Sequence, residues 1–382
     1  MIIGIDGNEA NISNRVGINE YAYELLRGIY KLQDEWKNRH QVYVFLKNKP
    51  LPDFPQESKR FHYQIISGSK NWVLTRLSPY LFRNKLNLDI FFSPNHYVPL
   101  FSPIPLVCSI MDLGYLEFSE QFTKRDFWQL KFWTAYSLRV SKAIIAISNS
   151  TMKDIVRHYP FASGKTFVTH LGFDSSQFNT DIGMDDVRRI KEKYSIVGDY
   201  ILYLGTLKPS KNIEGLIDAY GILNSKFKIQ NSKLSVPRLV IAGKKGWLYE
   251  SIFSKVNKLS LNGKVIFTDY IQEQDKPALI KGAKVFCLPS FWEGFGLDVL
   301  NALASGVPVV VSDRGSLPEV VGKAGIIVNP DDCSDIADGL VKVLSASEIS
   351  YNKLVQEGLE RVKRFNWLKT VRETLNVIER VK

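Results

Sequence analysis

A glycine-rich segment in the last third of the chain carries the clearest chemical signal. Residues 290–313 contain Glu293-Gly294-Phe295-Gly296-Leu297 between an apolar run typical of a strand and the helix-like sequence VLNALA. Glycines at such a junction let a ligand approach the backbone N–H groups at a helix N-terminus, where the helix dipole favours a phosphate or an oxyanion. Glu293 can accept hydrogen bonds from sugar hydroxyls. The same residue types also suit a tight strand-to-helix turn with a solvated glutamate.

Twelve short apolar runs recur along the whole chain and predict the elements that must position this segment. Amphipathic stretches separate many of them, for example residues 19–32, 150–158, 212–223 and 334–344. Unbroken apolar strands alternating with helices are typical of parallel sheets covered on both faces, so the predicted fold class is α/β. Two sheets of about six strands are expected, because open twisted sheets rarely exceed about ten strands. The runs begin at residues 2, 42, 89, 106, 143, 166, 200, 238, 264, 283, 308 and 325.

A polar, acidic stretch between the sixth and seventh runs predicts the domain boundary. We expect a first domain over residues 1–176, a linker with a helix in it over 177–198, and a second domain over 199–365. The last segment, 366–382, is predicted to be a helix with Asn366 as its N-cap. We expect this helix to pack back on the first domain.

Composition excludes several classes of protein. The 382 residues are 45% hydrophobic and 23% charged, which excludes collagen-like, coiled-coil and disordered chains. No apolar run reaches about 18 residues and no secretory leader is visible, so we expect a cytoplasmic protein. The three cysteines (Cys108, Cys287 and Cys333) and the histidines show no metal-binding spacing. A formal net charge of +11 favours anionic partners, but no motif accompanies it that would indicate nucleic acid.

Several blocks, in the same order along the chain, resemble the family 4 retaining glycosyltransferases of the GT-B fold. This resemblance implies two Rossmann-like domains facing a central cleft, with the donor held by the second domain and the acceptor by the first. It implies a metal-independent and cofactor-free transfer of sugar from a nucleotide-diphosphate sugar to a carbohydrate or lipid-linked glycan, as in polysaccharide biosynthesis. The matching blocks are residues 15–21, 109–113, 203–212, 241–247, 293–297, 316–320 and 365–367.

The resemblance also implies roles for individual residues. Glu293 matches the glutamate that contacts the transferred sugar, and Lys211 matches the lysine that meets the donor diphosphate. A preorganised cation there stabilises the charge on the leaving group. The implied catalytic residues are Glu293, Lys211, Asp112 and Met111. The implied donor-binding residues are Gly205, Thr206, Lys211, Gly243, Lys244, Glu293, Gly294, Phe295, Gly296, Leu297 and Asn301. Gly17, His96 and Asp112 are expected on the acceptor side.

Four positions depart from the family pattern. Met111 stands where the family usually has histidine, Ser210 replaces an arginine, Asp298 replaces a proline, and Asn301 replaces the glutamate that holds the ribose. Met111 can contribute only its backbone carbonyl, or it merely fills an apolar gap. These departures support an alternative function, a catalytically weakened nucleotide-sugar-binding or partner protein. A sugar-nucleotide epimerase is a third possibility, although no convincing acid and base pair is evident.

A basic, aromatic stretch covers residues 59–85. It contains six lysines and arginines and no acidic residue, interleaved with Phe61, Trp72, Tyr80 and Phe82. Such a stretch can rest on an anionic membrane and would suit a lipid-linked acceptor, which would place the protein at the inner face of the membrane. The alternative is an ordinary helix with its aromatic residues in the core and its basic residues in water.

Overall fold

A computed structural model describes residues 1–36, 39–68, 71–229 and 236–381 of the chain. The fold separates into two compact units. Unit 1 comprises Met1–Gly172 and Phe365–Lys382, and unit 2 comprises Phe173–Arg364. Each unit is built on its own parallel β-sheet, so the α/β class predicted from the alternation of apolar runs is confirmed.

Within the described residues, the sheet of unit 1 has seven strands in the order β3-β2-β1-β4-β5-β6-β7, and that of unit 2 has six in the order β10-β9-β8-β11-β12-β13. All neighbouring strands are parallel. The strands of unit 1 are β1 (Ile2–Asp6), β2 (Gln41–Leu46), β3 (Phe61–Ile65), β4 (Ile90–Ser93), β5 (Leu106–Ile110), β6 (Ala143–Ala146) and β7 (Thr166–Val168). Those of unit 2 are β8 (Tyr200–Leu204), β9 (Arg238–Ala242), β10 (Val265–Phe267), β11 (Val285–Leu288), β12 (Val309–Ser312) and β13 (Ile326–Val328).

Helices follow most strands and cover the sheets. Their spacing along the chain gives each sheet the crossover connections that parallel strands require. The described α-helices are α1 (Ile18–Lys31), α2 (Ser78–Arg83), α3 (Gly114–Glu117), α4 (Lys124–Val140), α5 (Asn149–His158), α6 (Met184–Lys193), α7 (Ile213–Ile229), α8 (Glu250–Lys258), α9 (Lys276–Lys281), α10 (Leu297–Ala304), α11 (Leu317–Val321), α12 (Cys333–Leu344), α13 (Glu348–Val362) and α14 (Trp367–Glu379).

Strand β3 is the one strand of the described residues that the apolar runs did not predict. It lies at the edge of the first sheet and pairs only with β2. An edge strand is partly solvated, and the FHYQI sequence of β3 is accordingly more polar than the central strands, whose residues are almost all buried. Its polarity therefore hid it from a search for buried runs.

The last helix, α14, belongs to unit 1. The Asn366 side chain accepts hydrogen bonds from the backbone N–H groups of Leu368 and Lys369, as the predicted N-cap would. Val371 of α14 packs directly against Gly28 of α1, and the helix also contacts β6. The chain thus returns to its first unit at Phe365.

The stretch expected to be a linker, 177–198, groups with unit 2. Its helix, α6, buries Val187 and Ile190 and packs against α9. Tyr194 adds a hydrogen bond of 2.7 Å from its hydroxyl to the Asp275 carboxylate. The polar face of α6 is what made the segment resemble a linker in the sequence.

The basic, aromatic stretch 59–85 is only partly a surface. Phe61 and Trp72 are buried in the core of unit 1, so the interpretation that puts aromatic residues inside is confirmed for these two. Phe82 is exposed, together with Arg76 and Arg83. Lys70 lies outside the described residues. Among the helices that the structure describes, none is both long and apolar enough to cross a membrane.

Candidate functional site

The predicted donor loops meet at one edge of the second sheet. In this sheet the strand order reverses between β8 and β11, which are neighbours. Ligands of parallel α/β sheets bind beyond the carboxyl ends of the strands at such a reversal. The loop 205–212 follows β8 and the loop 289–296 follows β11, so the two segments singled out by their sequence lie side by side.

Lys211 and Glu293 form the polar centre of this edge. The Lys211 ammonium donates a hydrogen bond to Oε1 of Glu293, and the Ser290 hydroxyl donates to the same oxygen at 3.0 Å. Both charged side chains are largely but not completely buried. A charge pair that is partly shielded from water interacts more strongly than one on the open surface. The fold therefore presents a fixed cation and a fixed carboxylate next to one another.

Backbone contacts hold the two loops in register. The N–H of Phe291 donates to the carbonyl of Ser210 at 2.9 Å, which ties the loop after β11 to the loop after β8. Ser316 donates to the carbonyl of Glu293 through both its N–H and its hydroxyl, each at 3.1 Å. Gly315 has φ of 59°, and a Cβ there would lie 2.5 Å from the same carbonyl oxygen. Glu293 is thus positioned through its backbone as well as its side chain.

A second close approach of backbone lies beside this pair. The carbonyl of Gly205 packs so tightly on Gly243 that a Cβ at position 243 would lie 2.0 Å from it. Leu207 donates its N–H to the carbonyl of Lys244 at 2.9 Å, and the Lys244 side chain is exposed. Thr206 is half-buried, and its carbonyl accepts a hydrogen bond from the hydroxyl of Tyr203 at 3.3 Å.

Helix α10 begins directly after the glycine-rich loop. Gly296, in the left-handed region at φ of 91°, precedes its first residue, Leu297, which is half-buried like Gly294. Phe295 is buried, so its side chain anchors the loop in the core and only its backbone remains to meet a ligand. The Val299 N–H already donates to the Gly296 carbonyl at 3.1 Å, so the N–H groups of Leu297 and Asp298 are the ones that suit anion binding at the N-terminus of α10.

Asp298 and Asn301, two departures from the family pattern, contact each other within α10. Burial raises the pKa of the Asp298 carboxyl, while the Lys276 ammonium and a hydrogen bond from the Asn301 side chain oppose that shift. Burial alone would lower the pKa of Lys276, yet Asp298 and Glu273 raise it. Lys276, at the start of α9, forms an ion pair with Glu273 at 2.8 Å, and its positive charge also lowers the pKa of the Asp298 carboxyl. The sequence search missed Lys276, because nothing in its own segment indicates a partner on α10.

Asn301 is only 5% exposed. It lies one helical turn after Asp298 on α10, and its side chain helps to lower the pKa of that carboxyl. Ser210 stands where the family has an arginine. Neither Lys208 nor Lys245 supplies that missing charge, because neither of them pairs with Glu293 among the described residues. Lys245 lies 3.6 Å from Asp269, and the Lys208 ammonium lies 5.1 Å from the Trp247 ring.

The first sheet has a reversal of strand order of its own, between β1 and β4. Three polar residues that the sequence search did not assign to a site meet there. Asn19 and Asn95 donate to the two oxygens of Glu9 at 2.8 and 3.4 Å. Burial, with a contribution from the Asp6 carboxylate, raises the pKa of Glu9. Glu9 follows an apolar strand, but that position alone does not indicate its partners Asn19 and Asn95 on other segments.

Gly17 and His96, expected on the acceptor side, flank this cluster in sequence. Gly17 precedes α1 with φ of 53° and has open space where a Cβ would point. Burial lowers the pKa of the His96 imidazole to about 4. Its Nε2 is buried and has no hydrogen-bond partner among the described residues. His96 is therefore expected to be neutral at pH 7, with Nε2 buried and unpaired among the described residues.

Met111 and Asp112 follow β5, at the same edge of the first sheet. The carbonyl of Met111 accepts a hydrogen bond of 3.1 Å from the hydroxyl of Thr151, which fixes its direction. Asp112 is exposed, and its carboxylate accepts from the N–H of Gly114 at 2.8 Å. Asp112 therefore has a structural task at the start of α3. Over the described part of the chain, no group of three or more metal-binding side chains comes together.

Two family models match the chain in succession. The model described as Glycosyltransferase Family 4 matches residues 17–177, and the model described as Glycosyl transferases group 1 matches residues 186–361. The chain is 29% identical over 349 residues to O-antigen chain mannosyltransferase B of Escherichia coli, covering 91% of this chain and 84% of that protein. It is 30% identical over 229 residues to the serotype-specific mannosyltransferase WbdA of the same organism, but these cover only 27% of WbdA.

Solved structures share the architecture over nearly the whole chain. Sucrose-phosphate synthase from Thermosynechococcus elongatus superposes with a TM-score of 0.76 at 17% identity, covering 99% of this chain and 98% of that one. The HepE protein of Anabaena, solved in complex with UDP-glucose, superposes with a TM-score of 0.74 at 15% identity, and 99% of each chain is covered. At these identities the likeness concerns the fold.

Proposed function

Because the chain belongs to the group 1, family 4 glycosyltransferases, which are enzymes of GT-B type, we propose a specific reaction for it. It moves a sugar from a nucleotide-diphosphate donor to a glycan or lipid-linked glycan acceptor, with retention of configuration and without a metal ion. The observation that carries this proposal is the Lys211–Glu293 pair beside the first turn of α10, at the strand-order reversal of the second sheet.

The cationic half of this pair accounts for departure of the leaving group. As the bond between the sugar carbon and the diphosphate oxygen breaks, negative charge grows on the diphosphate. The Lys211 ammonium and the backbone N–H groups of Leu297 and Asp298 supply positive charge at fixed positions, which costs no reorganisation during the reaction. These groups do the electrostatic work that a divalent cation does in other transferases, which supports a metal-independent reaction.

The anionic half of the pair suits the sugar. Glu293 can accept hydrogen bonds from donor sugar hydroxyls while Lys211 and Ser290 hold its carboxylate in place. In the retaining step, the acceptor oxygen forms its bond to the sugar carbon on the face that the diphosphate leaves. The acceptor proton passes to the departing phosphate oxygen. No separate general base is required, in keeping with an Asp112 that is occupied at the start of α3.

The names of the relatives support mannose as the first sugar to test. Two aligned proteins, one of them matched over 84% of its length, are named as mannosyltransferases, and one is named for the O-antigen chain. An acceptor that is a growing glycan fits that name. On unit 1 we assign acceptor contacts to Gly17 and His96, and we add Glu9, whose carboxylate already gathers two side-chain amides.

A transfer assay tests the proposal. The protein is incubated with mannose conjugates of GDP and UDP and a fluorescent oligomannoside, in EDTA, and the product linkage is determined by NMR. An α-linked product from an α-linked donor, formed at an undiminished rate in EDTA, is the expected result. A β-linked product would overturn retention, and a strict requirement for magnesium would overturn metal independence. Glucose and galactose conjugates of the same nucleotides serve as controls for sugar choice.

A further inference from the structure

Unit 1 carries a surface of exposed aromatic side chains, which we call the aromatic face and define as Phe82, Phe101, Trp128 and Phe132. These side chains are 57, 75, 49 and 68% exposed. Isolated exposed apolar residues are ordinary, but a connected group of large ones marks an interaction surface. Nothing in the proposed sugar transfer uses these four residues.

Direct contacts connect the members of this face. Phe82 and Phe101 line the same open groove of about 570 Å³, together with Leu74 and Leu100. The N–H of Phe101 donates to the hydroxyl of Tyr136 on α4 at 2.7 Å, and the two rings lie 6.5 Å apart. Phe101 therefore joins the groove to helix α4.

Helix α4 continues the face. Trp128, Phe132 and Tyr136 are spaced four residues apart and so lie along one side of the helix. The rings of Trp128 and Phe132 stack with their centroids 5.4 Å apart. Of the 17 residues of α4, only Thr134, Ser137 and Leu138 are buried, although all of them are described. Phe127, Leu130 and Tyr136 pack half-buried against the core, whereas Trp128 and Phe132 remain exposed.

Basic residues surround the aromatic face. Helix α4 contains four basic residues and one acidic residue, and the Lys131 ammonium lies 5.0 Å from the Trp128 ring centroid. Arg83 lines the groove beside Phe82, and the chain has no acidic residue from position 58 to position 88. Aromatic side chains favour the headgroup region of a bilayer, and neighbouring lysines and arginines are attracted to anionic lipid.

We propose that the aromatic face binds the surface of an anionic membrane, with Phe101 and Phe132 inserted at the headgroup level and the surrounding arginines and lysines paired with lipid phosphates. Of the stretch 59–85, Phe82 and Arg83 belong to this membrane contact, whereas Phe61 and Trp72 are buried and do not. A second copy of the chain fits less well. A two-fold contact would bring Arg83, Arg125 and Lys131 of each copy toward the same positive surface.

Vesicle co-sedimentation tests this inference without any acceptor sugar. The protein is mixed with vesicles of phosphatidylcholine alone or with about 30% phosphatidylglycerol, whose headgroups give the surface a negative potential. Binding to the anionic vesicles, weakened by salt, is expected. The double variant Phe101→Ser/Phe132→Ser should lower the partition coefficient about tenfold or more. Arg83→Gln and Arg125→Gln should each lower it about fivefold.

Matched variants separate this result from loss of folding. Ile349→Ser and Lys353→Gln change an exposed apolar and an exposed basic residue of unit 2, and both should bind vesicles as the parent chain does. Equal binding to neutral vesicles, or unchanged binding by the double variant, would overturn the proposal. So would a dimer in solution that the double variant abolishes, because the face would then be a contact between copies. The proposal does not depend on the proposed transfer reaction.

Discussion

Lys211 and Glu293 are 82 positions apart in the chain. They meet only because β8 and β11 are neighbouring strands. We expect Lys211→Ala to lower kcat by about tenfold to a hundredfold, because the leaving diphosphate loses its fixed cation. Glu293→Gln should lower kcat/KM by a similar factor while the fold is kept. Steady-state release of nucleoside diphosphate measures both.

Lys208→Ala is the matched control for Lys211→Ala. Lys208 lies three residues earlier on the same loop, and its ammonium lies near the Trp247 ring rather than Glu293. It should therefore retain most of the parent activity. Near-normal turnover in Lys211→Ala, or an equal loss in both lysine variants, would show that the charge of Lys211 is not specifically required.

The electrostatic interaction between Lys276 and Asp298 leads to a second prediction. Lys276→Met leaves the Asp298 carboxylate without its compensating charge, close to Lys211 and the proposed diphosphate site. The Kd for the nucleoside diphosphate should rise about tenfold. The double variant Lys276→Met/Asp298→Asn should recover most of that loss, because no unpaired carboxylate remains. Equal Kd values for the single and double variants, measured by calorimetry, would contradict the pairing.

The stability of the folded protein is expected to depend on pH through His96. Its folded-state pKa of about 4 lies below the usual 6.5, so the unfolded chain binds a proton that the folded chain does not. The contribution of His96 to stability is complete above pH 6.5 and is lost as the pH falls toward 4. Between pH 7 and pH 5, the melting temperature of His96→Asn should fall less than that of the parent chain. An identical fall in both proteins would place His96 in water.

Sequence motifs identified Lys211 and Glu293 because both follow strands in blocks with a distinctive order of glycines. The same approach could not identify Lys276 or Glu9. Their relevance comes from side chains on other elements: Asp298 on α10 for Lys276, and Asn95 after β4 for Glu9. Such contacts exist only after the strands are ordered, so a single segment carries no signal of them.

The loops that follow β8 and β9 in unit 2 are held together by close backbone packing. Gly243→Ala would put a Cβ 2.0 Å from the Gly205 carbonyl, in addition to the strain of φ at 141°. Gly263→Ala is the control, since Gly263 also has positive φ, at 75°, but has open space around a Cβ. Gly263→Ala should cost about 1 kcal/mol of unfolding free energy.

Gly243→Ala should cost at least about 2 kcal/mol more than this control, because the clash is with backbone and cannot be relieved by a side-chain rotation. Denaturant unfolding of the two variants measures the difference. Equal costs would show that the approach of the two loops is loose, and the donor site would then be less rigid than described.

Sequence periodicity predicted the elements of both sheets well where strands are central and buried. Each of the twelve apolar runs corresponds to a strand, whereas β3 was missed because an edge strand carries polar residues. Periodicity also left α6 within an expected linker, since its polar face gives no sign of the contact with α9. Patterns in a sequence report burial, and they fail where burial is partial.

The whole molecule consists of two parallel-sheet units, with the chain returning to the first through α14. The donor residues that we assign all lie in unit 2, and the acceptor residues in unit 1. The family resemblance led to the same expectation, with the donor on the second domain and the acceptor on the first. It could not predict which exposed residues form the aromatic face, because Phe82, Phe101 and α4 come together only in the folded unit.

Nucleotide binding by the parent chain and by Lys211→Ala, followed as a thermal shift in EDTA, tests the donor site on Lys211 and Glu293 directly. A ligand that binds only the folded state raises the melting temperature. We predict that GDP or UDP raises it by several degrees in EDTA, that added magnesium changes this little, and that Lys211→Ala loses most of the shift. No shift with any nucleoside diphosphate, or a shift that requires magnesium and survives in Lys211→Ala, would contradict a donor site built on Lys211 and Glu293.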